Sequence, residues 1–254
     1  MIILWVVAGL ITCFAVYWLF MSPYSQAFGR YPYRGESTDR VVALTFDDGP
    51  NDPYTSQIVD CLSGKNIRAT FFQVGRCVER HPGATTRIYA AGHVIGNHSL
   101  SHRFGTYLRP GRLAREIGET QEIVQRRIGR APALFRSPWL WRQPMLLRRV
   151  RRLSLQPVSG VFCHPMEVLQ PDAARIARRA VAKTRPGSIL IFHDGFDGRG
   201  GNRSETVRAV DITTDELLRR GYRFVTVDEL LGVPAYQGDR QPPRHRTIGD
   251  PDRA

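Results

Sequence analysis

The sequence predicts a parallel α/β architecture preceded by one membrane-crossing helix. Three observations carry that expectation. Residues 1–20 are apolar throughout and hold no charged side chain. From residue 41 onward, short β-rich runs alternate with stretches of helical periodicity, about seven times over. Several of those runs end in residues with obvious chemistry: Asp47-Asp48, "NHSLSH" (97–102), "RSPW" (136–139) and "HDG" (193–195).

The first element, "MIILWVVAGLITCFAVYWLF", is long enough at about 1.5 Å per residue to span a hydrocarbon core of roughly 30 Å. A removable signal peptide has a basic start and a shorter apolar core. No Lys or Arg precedes this run, so we read residues 1–21 as a signal anchor or transmembrane helix, with a cleaved signal as the alternative. Trp5, Tyr17 and Trp18 suit the membrane interface. Residues 22–37 read as a polar linker and 38–231 as one folded domain. Arg30, Arg34 and Arg40 follow the helix, and the positive-inside rule alone places the domain in the cytoplasm.

The β-rich runs are "VVALTF" (41–46), "ATFFQV" (69–74), "HVIGN" (93–97), "ALFR" (133–136), "LQPVSGVF" (155–162), "SILIF" (188–192) and "RFVTV" (223–227). Helical periodicity marks 113–129 and 172–184. Repeated strand–helix alternation predicts a parallel sheet, either a closed barrel or an open doubly wound sheet. No G-x-G-x-x-G follows the first strand, so nothing supports a dinucleotide fold. Residues 232–254 are rich in Pro, Gly and charge and read as a disordered tail.

The chain has 254 residues, 42% of them apolar, which excludes a disordered protein. Its 36 basic and 23 acidic residues give a net charge of +13, and Lys65 and Lys183 are the only lysines. Such a surface favours anionic partners, although arginine richness equally follows from a coding sequence rich in G and C. "RRVRR" (148–152) reads as a solvated helix face. With no aromatic-interleaved platform and no zinc-finger spacing, no nucleic-acid partner is expected. Cys13, Cys61, Cys77 and Cys163 contain no C-x-x-C; a Cys61–Cys77 bridge is compatible with the sequence but not argued by it.

In parallel α/β folds the carboxyl ends of the strands share one rim, and sites form there. His98 and His102 share a face if their segment makes a helical turn. Two imidazoles and one carboxylate with an open position suit Zn²⁺ or a similar cation. Each motif alone has an ordinary explanation: a turn, two surface histidines, a satisfied core histidine. Their convergence on one rim calls for a cation.

"TFDDGP", "NHSLSH", "RSPW" and "LIFH" occur in the order found in polysaccharide deacetylases of the carbohydrate esterase family four type, and the chain resembles that family over roughly 38–231. The resemblance implies a distorted (β/α) barrel of about seven parallel strands and removal of N-acetyl groups from chitin-like, peptidoglycan or related glycans. It implies one divalent cation, Zn²⁺ first with Co²⁺ or Mn²⁺ as alternatives, on Asp48, His98 and His102. Asp47 would be the general base, oriented by Arg136, and His193 the acid that protonates the leaving amine. The Trp139 backbone N–H would stabilise the oxyanion, and Leu190 would line the acetyl pocket. Cell-envelope substrates imply an extracytoplasmic domain, against the arginine count; we take the external placement.

Two stretches depart from the family pattern. "RSPWL" carries Trp139 where a smaller aromatic is usual, and "PVSGVFCHP" (157–165) lacks the Asp that normally supports the arginine. Arg136 could still orient Asp47 directly, with His164 as a partial substitute or an ordinary loop residue. The alternatives are therefore a deacylase of a lipid-linked aminosugar or small amide and, from another class, a glycan-binding module impaired in catalysis. Nothing in the sequence bears on oligomeric state.

Overall fold

A computed structural model describes residues 1–107 and 109–240. Its strands are β1 (Val41–Asp47), β2 (Thr70–Gln73), β3 (Val94–Asn97), β4 (Leu134–Phe135), β5 (Gln156–Pro157), β6 (Val161–Phe162), β7 (Ser188–His193) and β8 (Arg223–Phe224). The order across the sheet is β5-β4-β3-β2-β1-β7-β6, all pairings parallel. β7 runs along one edge of β1, while β8 (at Val41 and Val42) and β2 (from Thr45) divide the other. The helices are α1 (Ile2–Phe20), α2 (Tyr54–Gly64), α3 (Gly75–Arg80), α4 (Pro82–Ala90), α5 (Pro110–Ile128), α6 (Pro144–Arg152), α7 (Ala173–Lys183), α8 (Ser204–Arg219) and α9 (Val227–Leu231).

The sheet curls into the distorted barrel, and a single run brings its edges together. Residues 155–162, expected as one strand, form two short ladders. Gln156 and Pro157 pair with β4, and Val161 and Phe162 pair with β7. The three residues between cross from one edge of the sheet to the other.

Every residue of β1 is buried, as a central parallel strand requires. Side-chain alternation splits it. Val42, Leu44 and Phe46 pack outward with Phe71, Leu190, Phe192 and the apolar faces of α2, α7 and α8. Val41 and Ala43 belong to a separate inner cluster with Phe72, Leu134, Val158, Ile189 and Leu230. Local signals set the helix ends: α5 starts with Pro110 and stops at Gly129, whose φ of 73° is the left-handed cap glycine supplies best. The last expected strand is shorter than its apolar run. It ends at Phe224, because Thr226 and Glu229 form a capping box that opens α9.

Two segments expected to be loose are packed. Within 22–37, Tyr31 is fully buried, the Arg142 guanidinium lies 4.5 Å from its ring centre, and its hydroxyl accepts the Ser137 N–H at 3.1 Å. Ser159, between β5 and β6, donates its N–H to Pro32 O at 2.7 Å and its hydroxyl to Pro23 O at 2.8 Å. The stretch reads as a linker because its side chains are mixed, but its backbone satisfies polar groups of the barrel seam. In the expected tail, Tyr236 is buried and its hydroxyl accepts from Ile95 N at 3.1 Å. Ala133 N and Gln237 N make backbone bonds to Ala235 O and Ala131 O. The rest of that expectation, 241–254, lies outside the described residues.

α1 is long and apolar enough to cross a membrane, with a mean hydropathy of 2.2 over Ile3–Phe20, and none of that window is buried. Its end is seated on the barrel: Phe20 O accepts from Arg142 N at 2.9 Å, and the Phe20 ring stacks on Trp141 at 5.1 Å. All four cysteines are free.

Tyr31→Ala removes a large buried ring and the acceptor of a buried N–H. It should cost about 3–5 kcal/mol, read as a lowered unfolding midpoint of the full chain in detergent.

Candidate active site

The rim at the carboxyl ends of β1, β3, β4 and β7 encloses a cavity of about 430 Å³ bordered by Asp47, Asp48, His98, His102, Trp139 and His193, among others. Alternation along β1 turns Thr45 and Asp47 inward, and the Arg136 Nη1 reaches both, at 2.6 Å from the Thr45 hydroxyl and 2.7 Å from Asp47 Oδ1. Arg136 is fully buried over Phe72, 4.1 Å from the ring centre. Its remaining nitrogens donate to Val158 O at 3.4 Å and Ser159 O at 2.8 Å. Two backbone carbonyls thus stand where the family pattern supplies an aspartate. His164 takes no part: its Nδ1 accepts from Met166 N at 3.0 Å. Its buried Nε2 has no partner among the described residues.

Asp48 lies one residue past the strand, at φ 73°, a left-handed conformation that Asp tolerates better than most residues. The turn there is tight. A Cβ on Gly49 would stand 2.0 Å from the Asp194 carboxylate, and one on Gly195 would stand 2.4 Å from Asp48 O. Asp48 Oδ2 accepts from Asp197 N at 2.7 Å. Its Oδ1 lies 3.3 Å from His98 Nε2 and 3.0 Å from His102 Nε2. The histidines do not share a helical turn as expected. Residues 98–103 form a loop in which Ser99 and His102 both have positive φ, 68° and 50°. Asn97 Oδ1 and Ser99 Oγ hold that loop by accepting from Ser99 N and His102 N.

Each histidine is aimed from behind. His98 Nδ1 donates to Arg136 O at 2.8 Å, and His102 Nδ1 bonds Asp197 Oδ1 at 2.8 Å. Both Nε2 atoms are thereby turned toward Asp48. Burial raises the Asp48 pKa, but the adjoining His102 charge and the histidine hydrogen bonds outweigh it and hold the carboxyl well below its usual range. Across the cavity, His193 Nδ1 bonds Glu167 Oε2 at 2.6 Å, and Glu167 also accepts from the Thr206 hydroxyl. Burial lowers the His193 pKa, and the buried Glu167 carboxylate overrides it, lifting the imidazole to about 9. Beside it, burial pushes Asp194 up to about 7 despite its 2.6 Å bond from the Thr55 hydroxyl.

A family model described as "Polysaccharide deacetylase" matches residues 34–158. A peptidoglycan-N-acetylglucosamine deacetylase of Bacillus cereus is 32% identical over 196 residues, covering 77% of this chain and 90% of the relative. The chain belongs to the polysaccharide deacetylase family. It is thus one of a family of hydrolases acting on carbon–nitrogen bonds other than peptide bonds. A chitooligosaccharide deacetylase of Rhizobium leguminosarum bv. trifolii is 34% identical over 197 residues, covering 73% of this chain and 89% of the relative. The crystal structure of a peptidoglycan N-acetylglucosamine deacetylase in complex with 4-naphthalen-1-yl-N-oxidanyl-benzamide superimposes with a TM-score of 0.76 at 31% identity. It covers 81% of this chain and 94% of that one.

The divalent cation used by polysaccharide deacetylases fits this chain's residues. One ligand atom from each of Asp48, His98 and His102 lies within 4.8 Å of the others, all three residues are buried, and both imidazoles present Nε2 to Asp48. Leu190 does not border the cavity. It is fully exposure-free in the outer core, because the period of two places it on the face opposite Ile191 and His193. Phe162, Leu140 and Val168 border the cavity instead. Glu167 and Asp197, the partners of His193 and His102, went unremarked in the sequence; one opens a single 3-10 turn and the other lies in a loop, and neither has a local pattern. Asp194 stood in plain view within "HDG".

Zn²⁺ titration by calorimetry should give one site per chain in the wild type. Binding should persist in Asp47→Asn and be lost in His98→Ala. Asp197→Ala should bind about 10- to 100-fold more weakly, as for other partners of metal-binding histidines.

Proposed function

We propose that the chain is a membrane-anchored, divalent-metal-dependent deacetylase of N-acetylated glycans of the peptidoglycan or chitin type, with its catalytic domain outside the cytoplasm. One observation carries this reading. Asp47 and His193 are register partners on adjacent parallel strands, so a carboxylate and an imidazole flank the Asp48–His98–His102 cluster within one cavity. A module that only bound glycan has no need of both. The activities named for the relatives in Bacillus and Rhizobium support the substrate class.

When bound at Asp48, His98 and His102, a divalent cation supplies Lewis-acid polarisation of the amide and acidifies water. The protein's own groups do the rest. Asp47 uses Oδ1 for Arg136, and its other oxygen has no partner among the described residues, so it is available to take a proton from the attacking water. The Trp139 backbone N–H has no acceptor among the described residues. With φ at 52° the residue borders the cavity, where that N–H can donate to the carbonyl oxygen as it gains charge. His193, kept cationic by Glu167, protonates the leaving nitrogen as the carbon–nitrogen bond breaks, giving acetate and a free amine.

The test is acetate release from peptidoglycan strands and N-acetylglucosamine oligomers by the metal-loaded full chain; glycan binding without acetate from any substrate would overturn the proposal. Asp47→Asn should reduce turnover by about 10²–10⁴-fold.

The pH profile gives a further check. Activity needs protonated His193, so the rate falls as pH rises through its pKa. Glu167→Gln removes the carboxylate that raises that pKa, and the alkaline limb should move to lower pH.

A reporter fused after Ala254 should be active only outside the cytoplasm; an exclusively cytoplasmic signal would overturn the external placement.

A further inference from the structure

A second cavity, of about 510 Å³, adjoins the first and shares His102 and Asp197 with it. Four arginines border it: Arg76, Arg80, Arg103 and Arg199. Two of them are tied down. Arg80 donates to Gly198 O and to the Cys77 sulfur, the latter at 3.0 Å, and Arg199 reaches Asp197 Oδ2 at 3.2 Å. The side chains of Arg76 and Arg103 have no acceptor among the described residues. Against four guanidinium groups the cavity holds, among the described residues, the carboxylates of Glu79 and Asp197 alone, and Asp197 is already engaged by His102 and Arg199. Arg76 and Arg103 are exposed, and the concavity they border adjoins His102 of the donor cluster.

We propose that this cavity is an anion subsite, in which Arg76 and Arg103 bind a carboxylate or phosphate carried by the substrate next to the reacting N-acetyl sugar. Guanidinium pairs suit both oxyanions through bidentate hydrogen bonds. The inference rests on the deacetylase reading and narrows it: the preferred substrate is an acidic aminosugar glycan, and a neutral N-acetylglucosamine oligomer is a poorer one. The anion has two chemical sources. A carboxylate comes from an acidic sugar within the chain, and a phosphate from a glycosyl phosphate.

The experiment compares three probes by calorimetry on the full chain in detergent: a neutral N-acetylglucosamine tetramer, a peptide-free glycan tetramer in which alternate sugars carry a carboxylate, and an N-acetylglucosaminyl phosphate. At least one acidic probe should bind about tenfold or more tighter than the neutral tetramer, the scale of one charge-assisted hydrogen bond. Which acidic probe gains identifies the source of the anion. Arg76→Gln/Arg103→Gln should abolish that preference, and Arg76→Glu should reverse it. Equal binding of all three probes by the wild type, or a preference untouched by the double variant, overturns the subsite. Binding is read without turnover, so failure here is distinct from a failure to release acetate.

Discussion

A fully buried guanidinium organises this molecule. Arg136 is sealed from bulk solvent, and protein groups surround its charge: Thr45 and Asp47 on one side, the carbonyls of Val158 and Ser159 on another, the face of Phe72 beneath. A buried charge is tolerated only when paired and fully hydrogen-bonded. The arrangement therefore restricts three elements together. It fixes the rotamer of Asp47 at the end of β1, and it holds 158–159 where the barrel's edges meet. Through its own carbonyl, Arg136 also orients His98.

The rest of the site repeats that logic at smaller scale. Each imidazole is aimed by a group behind it, and the choice of group matches the task. A neutral carbonyl behind His98 selects a tautomer without adding charge. A carboxylate behind His193 also selects orientation, but stabilises the protonated ring as well. Two histidines on one rim are thereby given different electrostatic settings: one beside Asp48 in the donor cluster, one opposite as a cation. Asp47 and Asp48, although adjacent, differ in the same way, because strand alternation delivers the first to Arg136 and a left-handed turn delivers the second to the histidines.

The parallel architecture was readable because its cause is local. Central strands buried on both faces leave continuous apolar runs, and amphipathic helices leave a 3.6-residue period. The rim was readable for the same reason: Asp47, Asp48, His98, Arg136 and His193 stand directly at strand ends. What escaped depends on distant chain segments. Glu167 meets His193 across 26 residues and Asp197 meets His102 across 95, and neither separation leaves a pattern. The spacing of His98 and His102 suggested a shared helical turn, whereas a loop brings the two imidazoles together. Leu190 was a different kind of error, for the alternation that places His193 inward already places Leu190 outward. Residues 22–37 looked like spacer because amino-acid mixture says nothing of backbone hydrogen bonds to a seam.

That last segment has a mechanical consequence. α1 passes into the barrel with no slack: Phe20 stacks on Trp141, Trp141 touches Phe104, Phe104 touches Trp139, and Trp139 touches His102, with no ring-to-ring step longer than 5.6 Å. A flexible leash would let the pocket sweep a hemisphere whose radius grows with the leash. Here ring contacts replace such a leash, and an α1 seated in a bilayer would hold the pocket close to the lipid through them.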